Sequence, residues 1–284
     1  MYELLWGKIW GKRITRYPGI TQDLVFGHVM SKKKNCLELL RRAYPELNLQ
    51  KINVITQYDG NIGLESKNFR LDVWAQDDKG RIYDIEMQTI NKHDLEERMQ
   101  YYAAGLNNFT LKSGQPYTKL KSSYVVFFCT YDPFDQGESM YEFNFFDRKT
   151  KTIEFNVGMH IKVFNSKGKN RDLNQKMLDF LDYMNGVINH AQGYIADLQK
   201  DIDHYVNSGK WVDDMDKLAY EMNQVAMKAA EKATKEAKKE DAIRTIQAFK
   251  QVNFSSEVVF EKILQIYGED LSSDEIKKLV EENY

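Results

Sequence analysis

The sequence contains little cysteine and little proline: its 284 residues include two cysteines and four prolines. Neither Cys36 nor Cys129 has a second cysteine or a histidine close by at metal-ligand spacing, which argues against a zinc site or a disulfide framework. Both cysteines are expected to be small buried hydrophobic residues in a reducing compartment. We therefore expect a cytoplasmic protein.

Two further absences limit the partners of the chain. It holds no stretch of 18 apolar residues, and residues 1–19 contain no apolar run of signal-peptide length, so we expect no membrane partner. Its 40 Lys and Arg residues are balanced by 42 Asp and Glu residues, giving a formal net charge of -2. Any contact with nucleic acid must therefore come from a local patch, because the overall charge does not attract phosphate.

What the sequence does contain is a predicted β-hairpin in its first third. Two runs rich in β-branched and aromatic residues flank the turn Asp77-Asp78-Lys79-Gly80. This turn composition predicts a type I turn followed by a left-handed glycine, which is the three-residue hairpin loop with a bulge. Asp77 and Arg81 are then the residues that flank the loop.

Counting back from this turn places Asp72 opposite Glu86, and Arg70 opposite Gln88, on one face of the hairpin. Directly opposed side chains have Cβ atoms roughly 5 Å apart. Two carboxylates at that distance repel each other unless a cation lies between them, and Mg²⁺ is a suitable cation because it takes oxygen ligands. From spacing alone, the alternative is the solvated acidic face of an edge hairpin.

Three motifs carry a resemblance to a known family. They are the strings Arg-Leu-Asp-Val and Asp-Ile-Glu-Met-Gln on the two strands (residues 70–73 and 84–88), Arg-Met-Gln-Tyr-Tyr at residues 98–102, and Phe-Phe-Cys-Thr-Tyr-Asp-Pro-Phe at residues 127–134. An Asp, a hairpin and then Glu-x-Lys or Glu-x-Gln is the order of the PD-(D/E)XK nuclease superfamily. The strings look like its recombination-promoting nuclease or transposase branch over residues 13–185.

The resemblance implies an α/β (α+β) fold with the αβββαβ core of restriction endonucleases, in a nuclease-like domain at residues 1–190. It implies a metal-dependent DNA endonuclease that promotes recombination or acts in defence against foreign DNA. In that role Asp72 and Glu86 hold Mg²⁺, with Mn²⁺ as a substitute, and Gln88 orients the attacking water or the phosphate. Arg98, on the helix predicted after the hairpin, orients Glu86 or contacts phosphate.

Two positions depart from the superfamily pattern. Leu71 takes the place of the Pro before the first Asp, and Gln88 takes the place of the Lys, so the charge that would steady the reacting phosphate is missing. The alternative function is therefore a nuclease-fold protein of weak or no catalytic activity that serves as a binding or assembly module. Glu38 and Tyr101 are additional candidates: some branches bring a Glu from the first helix to the metal, and Tyr101 lies three residues after Arg98.

Residues 191–284 are predicted to form a helical C-terminal extension, because they are charged and poor in strand formers. A thin apolar stripe along residues 217–242 suits a long helix packed on another helix, so we expect an oligomerisation or docking module and a homo-oligomer. Two short helices follow, the second opened by a capping box at Ser272 and Glu275. Their acidic residues argue against a DNA-reading helix-turn-helix.

Overall fold

The computed structural model describes residues 18–60, 69–111, 113–155, 158–188 and 192–284, and it describes the backbone but not the side chains of residues 57–60, 69–70 and 109–110. The predicted position of Arg70 opposite Gln88 therefore lies outside the described side chains. The helices are α1 (Asp23–Met30), α2 (Lys33–Ala43), α3 (Leu95–Thr110), α4 (Gln175–Met184), α5 (Tyr194–Asn207), α6 (Gly209–Gln251), α7 (Ser256–Tyr267) and α8 (Ser273–Asn283). The strands are β1 (Ile52–Gly60), β2 (Phe69–Asp77), β3 (Ile82–Gln88), β4 (Ser123–Cys129), β5 (Met140–Phe143) and β6 (Met159–Asn165).

The six strands form one sheet in the order β1-β2-β3-β4-β6-β5. β1, β2 and β3 pair antiparallel, β3, β4 and β6 are parallel, and β5 is antiparallel to β6. Every residue of β4 is buried, as its apolar sequence predicts for a central strand with both faces covered. The predicted αβββαβ core is confirmed as α2-β1-β2-β3-α3-β4.

Apolar side chains cover both faces of the sheet. On one face, Met99 and other apolar residues of α3 pack against Phe127 of β4. On the other face, Phe128 stacks on Phe164 of β6 and meets the ring of Phe180 of α4 edge-on, with both centroid distances 5.2 Å. The alternation of side chains along β4 thus sends successive phenylalanines to opposite layers.

The hairpin turn has the predicted geometry. Gly80 has a φ of 79°, its N–H donates to the carbonyl of Asp77 at 3.1 Å, and the N–H of Asp77 donates to the carbonyl of Arg81 at 3.1 Å. The buried carboxylate of Asp77 also accepts from the N–H groups of Lys79 and Arg81 and from the hydroxyl of Tyr83. This turn sets which residues of β2 and β3 face each other.

The chain divides into two compact units, Met1–Asp214 and Met215–Tyr284. The second unit has its own apolar cluster, in which Ala242 and Ile246 of α6 pack with residues of α7 and α8. The capping box is confirmed: the N–H of Glu275 donates to the Ser272 hydroxyl, and the Glu275 carboxylate accepts from the N–H of Ser272. The predicted division into a nuclease-like domain at residues 1–190 and a helical extension at residues 191–284 stays a prediction.

The cysteines are placed as the composition predicts. Cys36 and Cys129 are both free thiols and fully buried. Burial raises the pKa of each thiol, so both are neutral at ordinary pH. Across the part of the chain that the structure describes, no helix is both long and apolar enough to span a bilayer.

Candidate active site

Strands β2 and β3 separate at one end of the hairpin, and two carboxylates lie in the opening. The regular ladder runs from the Gln76–Ile82 pair to the Val73–Ile85 pair. At the next position, the N–H of Asp72 donates to Oε1 of Glu86 at 2.9 Å, and the N–H of Met87 donates to Oδ2 of Asp72 at 3.0 Å. Asp72 and Glu86 are therefore side by side, as counting from the turn predicts.

A polar network connects Glu86 to helix α3. Nε2 of Gln88 donates to Oε2 of Glu86 at 3.4 Å, and Arg98 donates from Nη1 to Oε1 of Gln88. The second guanidinium nitrogen of Arg98 lies 3.5 Å from Oε2 of Glu86. Glu86 and Gln88 are buried, whereas 26% of the Arg98 side chain is exposed. Arg98 thus holds both strand residues from one side while part of its surface remains open to a ligand.

A third acid, Asp84, lies two residues before Glu86 on the same face of β3. Its side chain is fully buried, and no donor among the described residues reaches either carboxylate oxygen. Its neighbours are themselves acids: Glu86 is within hydrogen-bonding range, and the charge of Asp72 also acts on it. Two carboxylates form a favourable contact only when one carries a proton, so the ionised triad is incompatible with this burial unless a cation compensates it.

Burial is the main cause of the abnormal acidity of these groups. It raises the pKa of Asp72 from 3.8 to about 7, and the nearby charge of Asp23 adds to the effect. It also raises the pKa of Glu86, where the charges of Asp84 and Asp72 act in the same direction. The pKa of Asp84 is raised by burial and then by Asp72. Perturbed acids grouped where two neighbouring strands separate are typical of functional sites.

Two acids of the first two helices lie in different surroundings. Glu38 of α2 forms ion pairs with Arg42 at 2.6 Å and Arg41 at 3.6 Å, and a role for it at the metal stays an untested prediction. Asp23, the exposed first residue of α1, instead lies within hydrogen-bonding range of Asp72. Asp23 belongs to none of the sequence motifs, and its position as an acid at the start of the first helix is the signal that points to it.

Tyr102 of α3 contacts the site arginine, while a role for Tyr101 at the site stays an untested prediction. Arg98 donates to the hydroxyl of Tyr102 at 3.3 Å, and the Tyr102 ring stacks on Phe127. Tyr101, the predicted candidate, is half-buried against the apolar cluster on the same face of the sheet. The spacing of four residues between Arg98 and Tyr102 is the signal that points to their contact, because such residues are neighbours on a helix.

The residues where β2 and β3 separate fit a hard divalent cation held by few protein ligands. Asp72 and Glu86 offer adjacent carboxylate oxygens, and the unpartnered oxygens of Asp84 add negative charge behind them. Among the described residues, no group of three or more His, Cys, Asp or Glu side chains is arranged to enclose a metal ion. The carboxylate pair alone therefore offers the protein oxygens, a donor set of the kind that hard divalent cations accept when waters complete their coordination.

Comparison with known proteins gives one match. The sequence matches the PD-(D/E)XK nuclease family transposases over residues 21–251. The chain belongs to this family. The matched range includes the whole sheet, both site strands, α3 and the length of α6 to its last residue. No curated protein matches the chain, and no solved structure matches it.

Proposed function

We propose that this family member is a metal-dependent endonuclease that hydrolyses phosphodiester bonds in DNA. The observation that carries the proposal is the pair of carboxylates of Asp72 and Glu86 between the separated strands, with Gln88 and Arg98 beside them. Metal-dependent phosphodiester hydrolysis uses oxygen ligands for a divalent cation next to polar groups that position a phosphate. The family and the fold make DNA the first substrate to test.

Each residue of the site has a distinct proposed role. Asp72 and Glu86 hold Mg²⁺, or Mn²⁺ in its place, and the bound metal would lower the pKa of a water and neutralise phosphate charge. Arg98 fixes the position of Glu86 and presents its exposed part to a phosphate oxygen. Gln88 aligns Glu86 through its amide group and contributes a neutral hydrogen-bonding group on the substrate side.

One observation favours the alternative of a nuclease-fold binding or assembly module. Gln88 carries no charge, and its amide contacts Glu86 at one end and Arg98 at the other. An amide that is engaged at both ends by protein groups must give up one contact before it can hold water or phosphate. In this alternative, Arg98 and Gln88 only stabilise the fold, and the chain binds DNA or protein without cleaving it.

The decisive experiment is plasmid cleavage by the purified chain with Mg²⁺ or Mn²⁺, compared with the same reaction in EDTA. Asp72→Ala and Glu86→Ala should each abolish metal-dependent cleavage, because a cation left with one carboxylate loses affinity and no longer positions its water. Asp78→Ala is the matched control, since Asp78 is an exposed carboxylate in the turn of the same hairpin. Its cleavage rate should equal that of the parent.

Two outcomes would reject the nuclease proposal. The first is cleavage that persists at the parental rate in either site variant from a clean preparation. The second is binding of DNA with no cleavage in any divalent metal, which would favour the binding module. The finer expectations, namely promotion of recombination or defence against foreign DNA, a cytoplasmic location and a homo-oligomer formed by C-terminal helices, are part of the same proposal.

A further inference from the structure

Helix α6 carries an apolar stripe along the first part of the C-terminal unit. Its members, spaced alternately by three and four residues, are Met215, Leu218, Met222, Val225 and Ala229. Met222 is 50% exposed and Val225 is 68% exposed. Alternating spacing of this kind forms the seam of a two-stranded coiled coil, in which these residues occupy the a and d positions.

The stripe ends where α6 begins to contact helices of its own unit. Lys235 and Lys239 form ion pairs with Glu275 of α8 at 2.9 Å and 3.3 Å, and Ala242 then enters the apolar cluster formed with α7 and α8. From residue 225 to residue 237, every side chain of α6 is exposed. Within the stripe, Met222, Val225 and Ala229 are thus exposed, and Met215 and Leu218 are half-buried.

We propose that a second copy of this chain covers the stripe, with the two α6 helices running antiparallel. The charges beside the seam select this direction. Glu221 and Lys228 occupy successive g positions, one before Met222 and one before Ala229. In an antiparallel pair g positions face g positions, so Glu221 lies opposite Lys228 of the partner copy, twice by symmetry. In a parallel pair both would face alanines.

The same register matches the apolar layers. It places Met222 against Val225 of the partner copy and Leu218 against Ala229 of the partner copy, so that each of these two layers pairs a larger side chain with a smaller one. At each end of the seam Met215 lies opposite Lys232 of the partner copy, whose methylene groups can cover it while its charge reaches water. The e positions on the other side of the seam are Ala219, Ala226 and Ala233, and these small residues allow the helices to approach closely. The seam from Met215 to Ala229 covers about two heptads, so we expect a dimer of moderate affinity whose mass depends on concentration.

The mass of the full chain tests the proposal. Sedimentation equilibrium should give twice the 33.4 kDa chain mass at high concentration, and the variant carrying Met222→Glu and Val225→Glu should be a monomer. The control carries Tyr220→Glu and Met227→Glu, which replace apolar residues exposed by 65% and 58% on the opposite side of the helix. This control should remain dimeric. A monomeric parent, a dimeric stripe variant or a monomeric control would overturn the proposal.

Exchange of the two charges tests the register. Glu221→Lys alone and Lys228→Glu alone each place like charges opposite each other twice, and each should weaken the dimer roughly tenfold. The double variant restores both attractive pairs and should recover the parental dissociation constant. In the parent, the Glu221 carboxylate also lies 3.8 Å from Nζ of Lys217 on its own helix. This weak, exposed ion pair is lost in the single Glu221→Lys variant and in the double variant. Failure of the double variant to recover would exclude the register.

Cysteine cross-linking tests the direction independently. In the antiparallel register, the variant with both Leu218→Cys and Ala229→Cys should form an intermolecular disulfide under mild oxidation, and neither single variant should. The native Cys36 and Cys129 are buried and do not compete. Efficient cross-linking of Leu218→Cys alone would indicate a parallel pair and overturn the proposal. All these readouts are independent of DNA cleavage, so they can fail while the proposed nuclease function stands.

Discussion

At the scale of single residues, the site combines three buried or half-buried acids with one arginine. Asp72, Asp84 and Glu86 lie close together and have little exposure to solvent. Of these three acids, Glu86 is the one that forms an ion pair with Arg98 among the described residues. One guanidinium cannot offset three carboxylates in such surroundings. The raised pKa values of the three acids therefore favour protonated carboxyls in the metal-free protein, and a bound metal would favour their ionised forms.

The raised pKa of Asp72 predicts how stability changes with pH. Its folded value is about 7 against an ordinary value of 3.8, so the folded chain holds a proton that the unfolded chain releases between those pH values. This carboxyl therefore contributes stability at low pH that is lost as the pH rises through about 7. In EDTA, Asp72→Asn should unfold at the same urea concentration as the parent near pH 4, and should be more stable by roughly 1–3 kcal/mol at pH 8.

Addition of Mg²⁺ should reverse that order. The metal stabilises the ionised form of Asp72, so Mg²⁺ at pH 8 should raise the urea midpoint of the parent and leave that of Asp72→Asn nearly unchanged. A stability difference between the two proteins that does not vary with pH would show that Asp72 is ionised in the metal-free protein. The acid would then have a compensating partner at its site.

Gln88 gives the second prediction at this scale. Its amide aligns Glu86 and accepts from Arg98, so Gln88→Ala removes a preorganised group without removing a carboxylate. We expect the cleavage rate to fall by roughly 10²-fold or more, the scale seen when one preorganised donor is lost. Mg²⁺ affinity measured by calorimetry should change little. A loss of affinity as large as that of Asp72→Ala would make Gln88 a metal ligand instead.

At the scale of elements, the hairpin was predictable because local rules determine it. The turn Asp77–Gly80 specifies the loop length, the loop length specifies the register, and the register brings Asp72 beside Glu86. Asp84 shares the face of Glu86 by the same alternation, but sequence alone does not reveal that its carboxylate is buried without a donor. Asp23 was missed because its approach to Asp72 depends on how α1 packs on the sheet, which is a long-range contact.

The later strands show where local rules fail. Alternating residues predict a second hairpin, in which residues 141–146 pair with residues 152–156. In the structure this hairpin forms around its turn: Phe146 bridges Glu154 antiparallel, and the N–H groups of Asp147 and Phe155 donate to the carbonyls of Ile153 and Phe145 at 2.9 and 2.8 Å. The earlier residues 140–143 instead form β5, which pairs with β6 at one end of the sheet. An alternating pattern identifies a strand but not its partner, because any neighbouring edge offers the same backbone groups. The pairing is decided by the tertiary fold.

The turn carboxylate gives a prediction for the hairpin itself. Asp77→Ala removes the acceptor for two N–H groups and for the Tyr83 hydroxyl, and it leaves Arg81 without its 2.5 Å ion pair. We expect a loss of roughly 2–4 kcal/mol in the free energy of unfolding by urea. Asp78→Ala, one residue later and exposed, should change it by less than about 0.5 kcal/mol. Equal effects of the two variants would mean that Asp77 is dispensable for the turn.

At the scale of the whole molecule, each of the two units has an apolar cluster of its own among the described residues. The cluster that supports the site joins the sheet to α3, and the cluster of the C-terminal unit joins the end of α6 to α7 and α8. The net charge of -2 gives the chain no general attraction for DNA. A second copy that doubles the number of sites would therefore help to hold an extended substrate through two contacts rather than one.

The last prediction separates these two units. A chain that ends at Asp214 keeps the sheet, α3 and the buried Trp211, and it lacks both the stripe on α6 and the second core. We expect it to remain folded and to cleave plasmid in Mg²⁺, because the proposed site residues and the helices that cover the sheet are all retained. It should sediment as a monomer, and its cleavage should depend on enzyme concentration to the first power.

The full chain carrying Met222→Glu and Val225→Glu is the matched control, since it keeps the second core and loses only the seam. Loss of cleavage in the truncated chain but not in this control would show that the site depends on the C-terminal unit itself, and loss in both would show that cleavage requires the dimer.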